Sequence, residues 1–236
     1  MTLDDLPIVR GLPSVTAAQM AEIDRITIDE MGISVDRLME SASFEVARVA
    51  RALLGGSVAG KRIVGLIGSG NNGADTAGAL RRLLNWSATV VAVVAVPEDR
   101  LREATQRELA MLPTTRELPH ADLLLDGLLG YSTRGVARGA VATFIEAANQ
   151  TGRPILAVDL PSGLDPDTGR PLGPVIRATA TVTLACTKTG VVAPEAAAFV
   201  GKLVLADIGI PYLAFERLGV DTRGLFKDGD LVRVIA

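Results

Sequence analysis

Aromatic residues make up only 3% of this chain, and it has one cysteine and one histidine. Each scarcity removes a class of function. With so few rings, and with 24 Lys and Arg set against 27 Asp and Glu for a net charge of −3, there is no basic stripe interleaved with aromatics to hold a nucleic acid. Cys186, standing alone, can form neither an internal disulfide nor a thiolate metal cluster, which fits a reducing compartment. His120, also alone, rules out multi-histidine metal sites and a placed histidine triad. It stands in Leu118-Pro-His-Ala-Asp122 and reads as a solvated loop residue. Acid–base work therefore falls to Asp, Glu, Lys or water. No apolar stretch reaches the roughly 18 residues a membrane span needs. Met1 to Arg10 carries Asp4 and Asp5 and no long apolar run, so no signal peptide is visible. These readings predict a cytoplasmic protein without a membrane partner.

What is present is a core. The chain is 48% hydrophobic and 22% charged, the balance of a packed domain. Val15 to Met31 is predicted as a helix capped by Thr16 and ended by Gly32. A second helix runs from Ser34 towards Leu54, with Leu38, Met39, Ala42, Val46, Val49 and Leu53 on its apolar side. This N-terminal helical pair, within 15–56, is expected to cap a sheet. Over 61–211 the pattern alternates, with strands predicted at 63–67, 88–96, 123–126, 154–160, 180–185 and 203–208 and helices at 76–84, 100–111 and 141–150. Near-continuous Val, Ile, Leu and Ala in the strands signals a mostly parallel sheet covered on both faces. No helix is evident after Leu172, so the last strands are expected to join by hairpin-like or irregular links. The tail, 212–236, is expected on the surface of a single domain spanning 1–236.

The stretch that orders the rest is Val64-Gly-Leu-Ile-Gly-Ser-Gly-Asn-Asn-Gly-Ala-Asp75. A buried strand breaks at Gly68 into G-x-G-x-x-G and then a helix, a context in which backbone N–H groups can wrap a polar ligand. Asp75 would repel a pyrophosphate there, so the pocket is read as also holding something other than phosphate. In a parallel sheet all the strands' C-terminal ends open on one edge. Polar residues recur at that edge: Asn71, Asn72 and Asp75; Asp126 before Gly-Leu-Leu-Gly-Tyr-Ser-Thr-Arg-Gly135; Asp159 before Leu-Pro-Ser162-Gly; and Thr187-Lys188. Asp126 and Asp159 end apolar strands and are read as ligand or cation contacts. The turn explains Ser162 as well as a ligand role would, and Lys188 is either a surface lysine or a counter-charge to the acids. Arg134 could clamp a phosphate. Asp165 and Asp167 are read as turn residues.

At these residues the sequence resembles the NAD(P)HX epimerase family, the YjeF N-terminal domains. The resemblance runs from Gln19-Met-Ala-Glu-Ile-Asp24 to Asp207-Ile-Gly-Ile-Pro211 through Gly70-Asn-Asn-Gly-Ala-Asp75, Asp126-Gly-Leu-Leu-Gly130, Asp159-Leu-Pro-Ser-Gly-Leu-Asp165 and Thr187-Lys188. It implies a Rossmann-like three-layer α/β/α fold, a homodimer, and epimerisation of hydrated NADH and NADPH for metabolite repair. It also implies a potassium ion held by Asn72, Asp126 and Ser162. Substrate contacts would come from Asn71, Asn72, Gly73, Ala74 and Asp75, from Gly130, Tyr131, Ser132, Thr133, Arg134, Gly135 and Val136, and from Asp159. A separate or fused dehydratase would be the functional partner. The usual Asn-Asn-Gly-Gly-Asp-Gly is altered at Ala74 and Thr76, Gly-Thr-Gly is altered at Tyr131, and Met-Glu-Asn becomes Met39-Glu40-Ser41. Alanine would be strained at position 74 if that position needs positive φ.

On this reading Asp159 and Lys188 are the catalytic candidates. Asp159, crowded by Asp126, would hold and return a proton while Lys188 tunes the charge. The alternative is a ligand-binding or scaffold protein that keeps the pocket and not the turnover. A dehydrogenase, suggested by the glycine spelling, and a hydrolase built on Ser162 are lesser rivals.

Overall fold

The structure, a computed structural model, describes residues 1–235. In chain order its strands and α-helices are β1 (Ile8–Val9), β2 (Ser14–Val15), α1 (Ala17–Arg25), α2 (Val35–Leu53), β3 (Arg62–Ile67), α3 (Asn71–Asn85), β4 (Thr89–Val94), α4 (Glu103–Leu109), β5 (Thr114–Thr115), β6 (Leu123–Gly127), α5 (Gly139–Gln150), β7 (Ile155–Val158), β8 (Ala180–Leu184), β9 (Thr187–Lys188), α6 (Ala197–Val200), β10 (Lys202–Ala206), α7 (Tyr212–Glu216) and β11 (Leu231–Val234).

Nine strands form one sheet in the order β1-β11-β10-β8-β7-β6-β3-β4-β5, and every neighbouring pair is parallel except β10 with β11. From β3 the chain winds outward through β4 and β5, then returns to β6 on the other side of β3. The strand order therefore reverses between β3 and β6, where a doubly wound sheet opens a crevice for ligands. Alternate residues of β3 face opposite layers. Ile63 and Ile67 join the core that includes Met20, Val46, Leu80 and Leu83, whereas Val64 and Leu66 pack with Ile145 and Ala148. That two-sided burial is why the strand reads as an unbroken apolar run.

The N-terminal helices form as their caps predict. Thr16 accepts from the Gln19 N–H and Gln19 Oε1 accepts from the Thr16 N–H, a capping box. Ser34 caps α2. The first helix ends earlier than expected, at Arg25, and passes into a π-helical turn over Ile26–Glu30. α2 lies on α3 and reaches β8 and β10, so the pair caps the sheet.

Three expectations are corrected. Residues 71–75 are the first turn of α3 and not a loop. The late strands are not linked as hairpins: β10 runs parallel to β8, and α6 and α7 lie beyond Leu172. The C-terminal segment is not a surface tail either, since β11 enters the sheet between β10 and β1 with Leu231 and Val232 buried. Ala236, the last residue of that segment, lies outside the described residues.

Candidate active site

The end of β3 meets the end of β6 at contact distance. A Cβ on Gly68 would stand 1.9 Å from the Leu128 carbonyl oxygen, so only glycine lets the two strand ends touch. The Gly68 N–H donates to the Gly127 carbonyl at 3.1 Å. From this junction α3 starts at Asn71, with Gly70 as an N-cap that supplies no side-chain bond. Ala74 sits inside the helix and is buried. The non-glycine residues with positive φ are Ser87, Asp159 and Ala185, so alanine at 74 is unstrained. Thr76 donates to the Asn72 carbonyl at 2.8 Å and occupies the space beside Gly127.

Asn72, Asp126 and Ser162 converge as the sequence suggested. Asp126 is completely buried at the end of β6. Its Oδ1 accepts from the Ser162 hydroxyl at 2.6 Å, and its Oδ2 accepts from the Ser162 N–H at 2.8 Å. Burial pushes the Asp126 carboxyl up to about 6, against the pull of its hydrogen bonds from Ser162 and Leu128. The Asn72 amide nitrogen donates to the Leu129 and Val158 carbonyls, each at 2.9 Å, tying α3 to the ends of β6 and β7. Its Oδ1 is buried with no hydrogen-bond partner. Ser162 is therefore part of the site and more than a turn residue. No group of three His, Cys, Asp or Glu side chains is placed as metal ligands among the described residues, so any cation here would meet mixed oxygen donors.

Asp159 follows β7 with φ of 66°, a left-handed conformation that costs about 1–3 kcal/mol in a residue other than glycine and marks a constrained site. Its Oδ1 accepts from Lys188 Nζ at 2.5 Å and from the Leu184 N–H at 3.1 Å. Lys188 is almost wholly buried and also donates to the Leu184 carbonyl at 2.9 Å. It is held there because Ala185, at φ 64°, turns the chain out of β8 and β9 then pairs with β2, with Lys188 opposite Val15. The surface-lysine alternative is excluded by this geometry. The expected crowding of Asp159 by Asp126 is corrected as well, because the groups that act on the Asp126 carboxyl are Ser162 and Leu128 and not Asp159. The carboxylates that act on one another across the cavity are Asp24, Asp75 and Asp159. Burial first, then the Asp159 and Asp24 charges, push Asp75 well above the usual carboxylate range. Asp75 Oδ1 is buried without a partner. Burial also raises Asp24, outweighing the hydrogen bond it accepts from the Tyr131 hydroxyl at 2.5 Å.

Asn72, Asp24, Asp75, Asp159 and Lys188 line one cavity of about 440 Å³ at the strand mouth, within the usual range for a small-molecule site, and Asp126 and Ser162 are outside its lining. Asn71, Asn72, Asp75, Gly130, Tyr131, Ser132, Thr133, Asp159 and Lys188 face it. Gly73, Ala74, Arg134, Gly135 and Val136 are outside the lining, the last three of them exposed. Arg134 folds back onto its own loop, donating to the Tyr131 carbonyl at 3.0 Å. Tyr131, the bulky departure in that loop, forms part of the wall, its ring centroid 5.8 Å from Lys188 Nζ. The charged lining residues that the sequence reading did not place at the site are Asp24, Arg100 and Arg102, and Met39 also lines the cavity. Glu40, beside Met39, instead pairs with Arg81 and Arg82 outside the cavity. Asp165 is the turn residue expected, accepting from the Asp167 and Thr168 N–H groups, while Asp167 reaches back to accept from the Ala17 N–H at 2.6 Å.

The fold matches the crystal structure of yeast ynu0, at 22% identity and a TM-score of 0.80, over 94% of this chain and all of that one. The NAD(P)H-hydrate epimerase of Dehalogenimonas lykanthroporepellens is 35% identical over 237 residues, 96% of this chain and 95% of that protein. The bifunctional NAD(P)H-hydrate repair enzyme Nnr of Moorella thermoacetica is 40% identical over 214 residues. That match takes in 84% of this chain and only 40% of the larger protein. A family model described as YjeF-related protein N-terminus matches residues 35–190. By that match, and by the near full-length likeness to the epimerase, the chain belongs to the YjeF-related protein N-terminus family.

Proposed function

We propose that this chain is an NAD(P)H-hydrate epimerase, interconverting the R and S forms of NADHX and NADPHX. The observation that carries the reading is the buried Asp159–Lys188 pair facing Asp75 and Asp24 across one cavity. The near full-length likeness to an epimerase gives that cavity its substrate.

The reaction needs a proton and tolerance for positive charge. The epimerised ring carbon carries a hydroxyl and adjoins a ring nitrogen. Protonation of the hydroxyl lets the C–O bond break, the nitrogen lone pair moves into the C–N bond, and water departs from an iminium-like ring. Water then adds to the opposite face and gives up a proton. Asp159 is the group assigned to deliver and retrieve it, with Lys188 holding that carboxylate in place. Asp75, pushed up by burial, is a second proton holder beside it. Asp159, with the acceptor oxygens of Asp24 and Asp75 beside it, would favour the cationic ring over the neutral substrate, the differential stabilisation that catalysis requires.

A potassium ion fits the oxygens of Asn72, Asp126 and Ser162. The Asn72 Oδ1 is a buried acceptor without a donor, and the nearest groups to the Asp126 carboxylate are neutral. Those three residues would hold the ion, which when bound would supply positive charge to offset Asp126 and fix the loops after β3, β6 and β7. A dehydratase acting on the S form, two-copy assembly and a cytoplasmic setting belong to the same reading. Among the described residues, no helix is long and apolar enough to cross a membrane. The scaffold alternative drew on the substituted glycines, and it loses that support where Ala74 and Thr76 sit unstrained in α3.

The test is chiral chromatography of (R)-NADHX and (R)-NADPHX incubated with the protein. Asp159→Asn is the apt variant, because asparagine tolerates the left-handed backbone that position 159 requires. It should lower the rate at least about a hundredfold, the usual contribution of a general acid–base group. A near-normal rate in a folded Asp159→Asn protein would remove Asp159 from the mechanism.

A further inference from the structure

The cavity has two electrostatic ends. Its deep wall carries the acidic side chains Asp24, Asp75 and Asp159, and the ammonium of Lys188 there is already paired with Asp159, so this end offers an anion no free cation. Its rim carries Arg100 and Arg102, from the turn between β4 and α4. Arg102 Nη1 donates to Asn71 Oδ1 at 2.7 Å, and Asn71 is the first residue of the 15-residue helix α3. The bond parks the guanidinium beside the positive end of that helix, where Gly70 leaves the backbone without a side-chain cap. A cation at the positive end of a helix is unfavourable unless something negative shares the space. Asp75, 7% exposed and with an unpartnered buried oxygen, lines the same cavity and points separately to a ligand within it. Arg134, the arginine the sequence offered for phosphate, is turned into its own loop.

We propose that Arg102, assisted by Arg100, binds the phosphate groups of the dinucleotide and so orients the substrate, with the hydrated ring delivered to Asp159 and Lys188. The identity of the ligand as a dinucleotide rests on the cofactor-hydrate reading of this site. The planar fork of a guanidinium matches phosphate oxygens in pairs, and Arg102 is free to exchange its exposed Asn71 contact for them. The helix dipole then works with the arginine. Asp75, deeper in the first turns of α3, faces the ring and not the phosphates.

The experiment reads binding, so that it can fail separately from the epimerase reading. NADH and NADPH are titrated calorimetrically into the wild-type protein, Arg102→Ala, Arg102→Lys and Arg100→Ala/Arg102→Ala, at 50 and 250 mM NaCl, with urea midpoints recorded for each. The wild type should bind both dinucleotides, more weakly at the higher salt. Arg102→Ala should lose about tenfold in affinity, with Arg102→Lys intermediate, the double variant weaker still, and the midpoints unmoved. Equal losses for the two ligands identify the shared pyrophosphate as the bound group, whereas a loss confined to NADPH identifies its 2′-phosphate. Affinities within twofold of wild type in the double variant, or no binding by the wild type, would overturn the proposal. A wild type that binds with this arginine dependence and does not epimerise would sink the proposed reaction and leave the phosphate site standing.

Discussion

Lys188→Met is the substitution with the sharpest consequence. The ammonium it removes stands 2.5 Å from Asp159 Oδ1, and the two side chains are 2% and 8% exposed. Two unit charges about 4 Å apart attract by roughly 4 kcal/mol at an effective dielectric of about 20. Most of that is spent against the cost of desolvating both ions. Removing one partner alone forfeits the attraction and leaves the other charge buried, which costs about 3–5 kcal/mol. Methionine is close to lysine in volume, so the loss cannot be assigned to a cavity. Asp159→Asn should be milder, because the Leu184 carbonyl still accepts from Lys188 at 2.9 Å. The double variant leaves no uncompensated charge and should recover to within about 1–2 kcal/mol of the wild type. Urea unfolding of the four proteins gives the coupling energy, expected to be at least about 2 kcal/mol. It should be nearly the same at 0.05 and 0.5 M NaCl, since buried pairs are poorly screened. Losses that simply add, or a coupling that vanishes in salt, would mean the pair is solvated, and the account of the site's electrostatics would fall with it.

Three further outcomes follow from particular residues. Burial raises Glu45 to about 7 although Arg48 lies 2.9 Å away, so the folded state holds this proton more tightly than the unfolded chain does. Stability from this group is full below pH 4.5 and is lost as pH rises through about 7. Glu45→Gln should flatten that part of a stability–pH curve by about 1–2 kcal/mol, discounted for partial solvent access, and an unchanged slope would contradict it. Ala74→Gly, which restores the family's usual glycine, should cost about 1 kcal/mol in urea unfolding, because position 74 is a buried helix interior. It should bring no gain in rate, and a faster enzyme would show that alanine hinders the site. If Asn72, Asp126 and Ser162 hold potassium, KCl should raise the thermal midpoint above that in choline chloride at equal ionic strength, by mass action on the folded state. Asn72→Ala should abolish that difference, and a difference that survives would place the ion elsewhere.

The sequence was most legible where one residue's environment decides its pattern. β3, β6 and β7 are covered on both faces, so their apolar runs stand out, and the acids at the ends of β6 and β7, Asp126 and Asp159, are conspicuous for the same reason. The convergence of Asn72, Asp126 and Ser162 follows because parallel strands share one open edge. What was illegible depended on distance in the chain or on glycines with a packing role. Gly70 and Gly73 look like breakers before Asp75, yet Gly70 is an N-cap, and a Cβ on Gly73 would lie 2.4 Å from the Gly68 carbonyl oxygen. Close approach fixes Gly73, whereas a Cβ on Gly70 would meet nothing within 4 Å, and the helix starts between them. Asp24 sits next to Ile23 on a helix whose apolar period suggests a solvated acid. Only the loop after β6, arriving with Tyr131, encloses it. β11 escaped notice because its partners are β10 and β1, the latter formed by residues 8–9, and four residues without local partners carry no periodic signal.

The same geometry decides between epimerase and dehydrogenase, which share the spelling Gly68-Ser-Gly-Asn-Asn-Gly73. A dinucleotide fold that uses this turn for pyrophosphate keeps the first turn of the following helix clear of negative charge and places an acid at the end of the second strand for a ribose. Here the second feature is inverted, and although the first turn of α3 carries no acid, one follows directly after it. Asp75 occupies the early part of α3 and faces the cavity, and the turn beyond β4 presents Arg100 and Arg102 to it, with Glu98 and Asp99 exposed in the same turn but outside the lining. A phosphate would thus be held at the outer side of the α3 N-terminus, where Arg102 meets Asn71, and kept away from the strand ends. The part of the ligand that reaches the strand ends must then suit three acidic side chains, two of them pushed by burial towards their protonated forms. A ring that becomes cationic as it loses water meets that requirement.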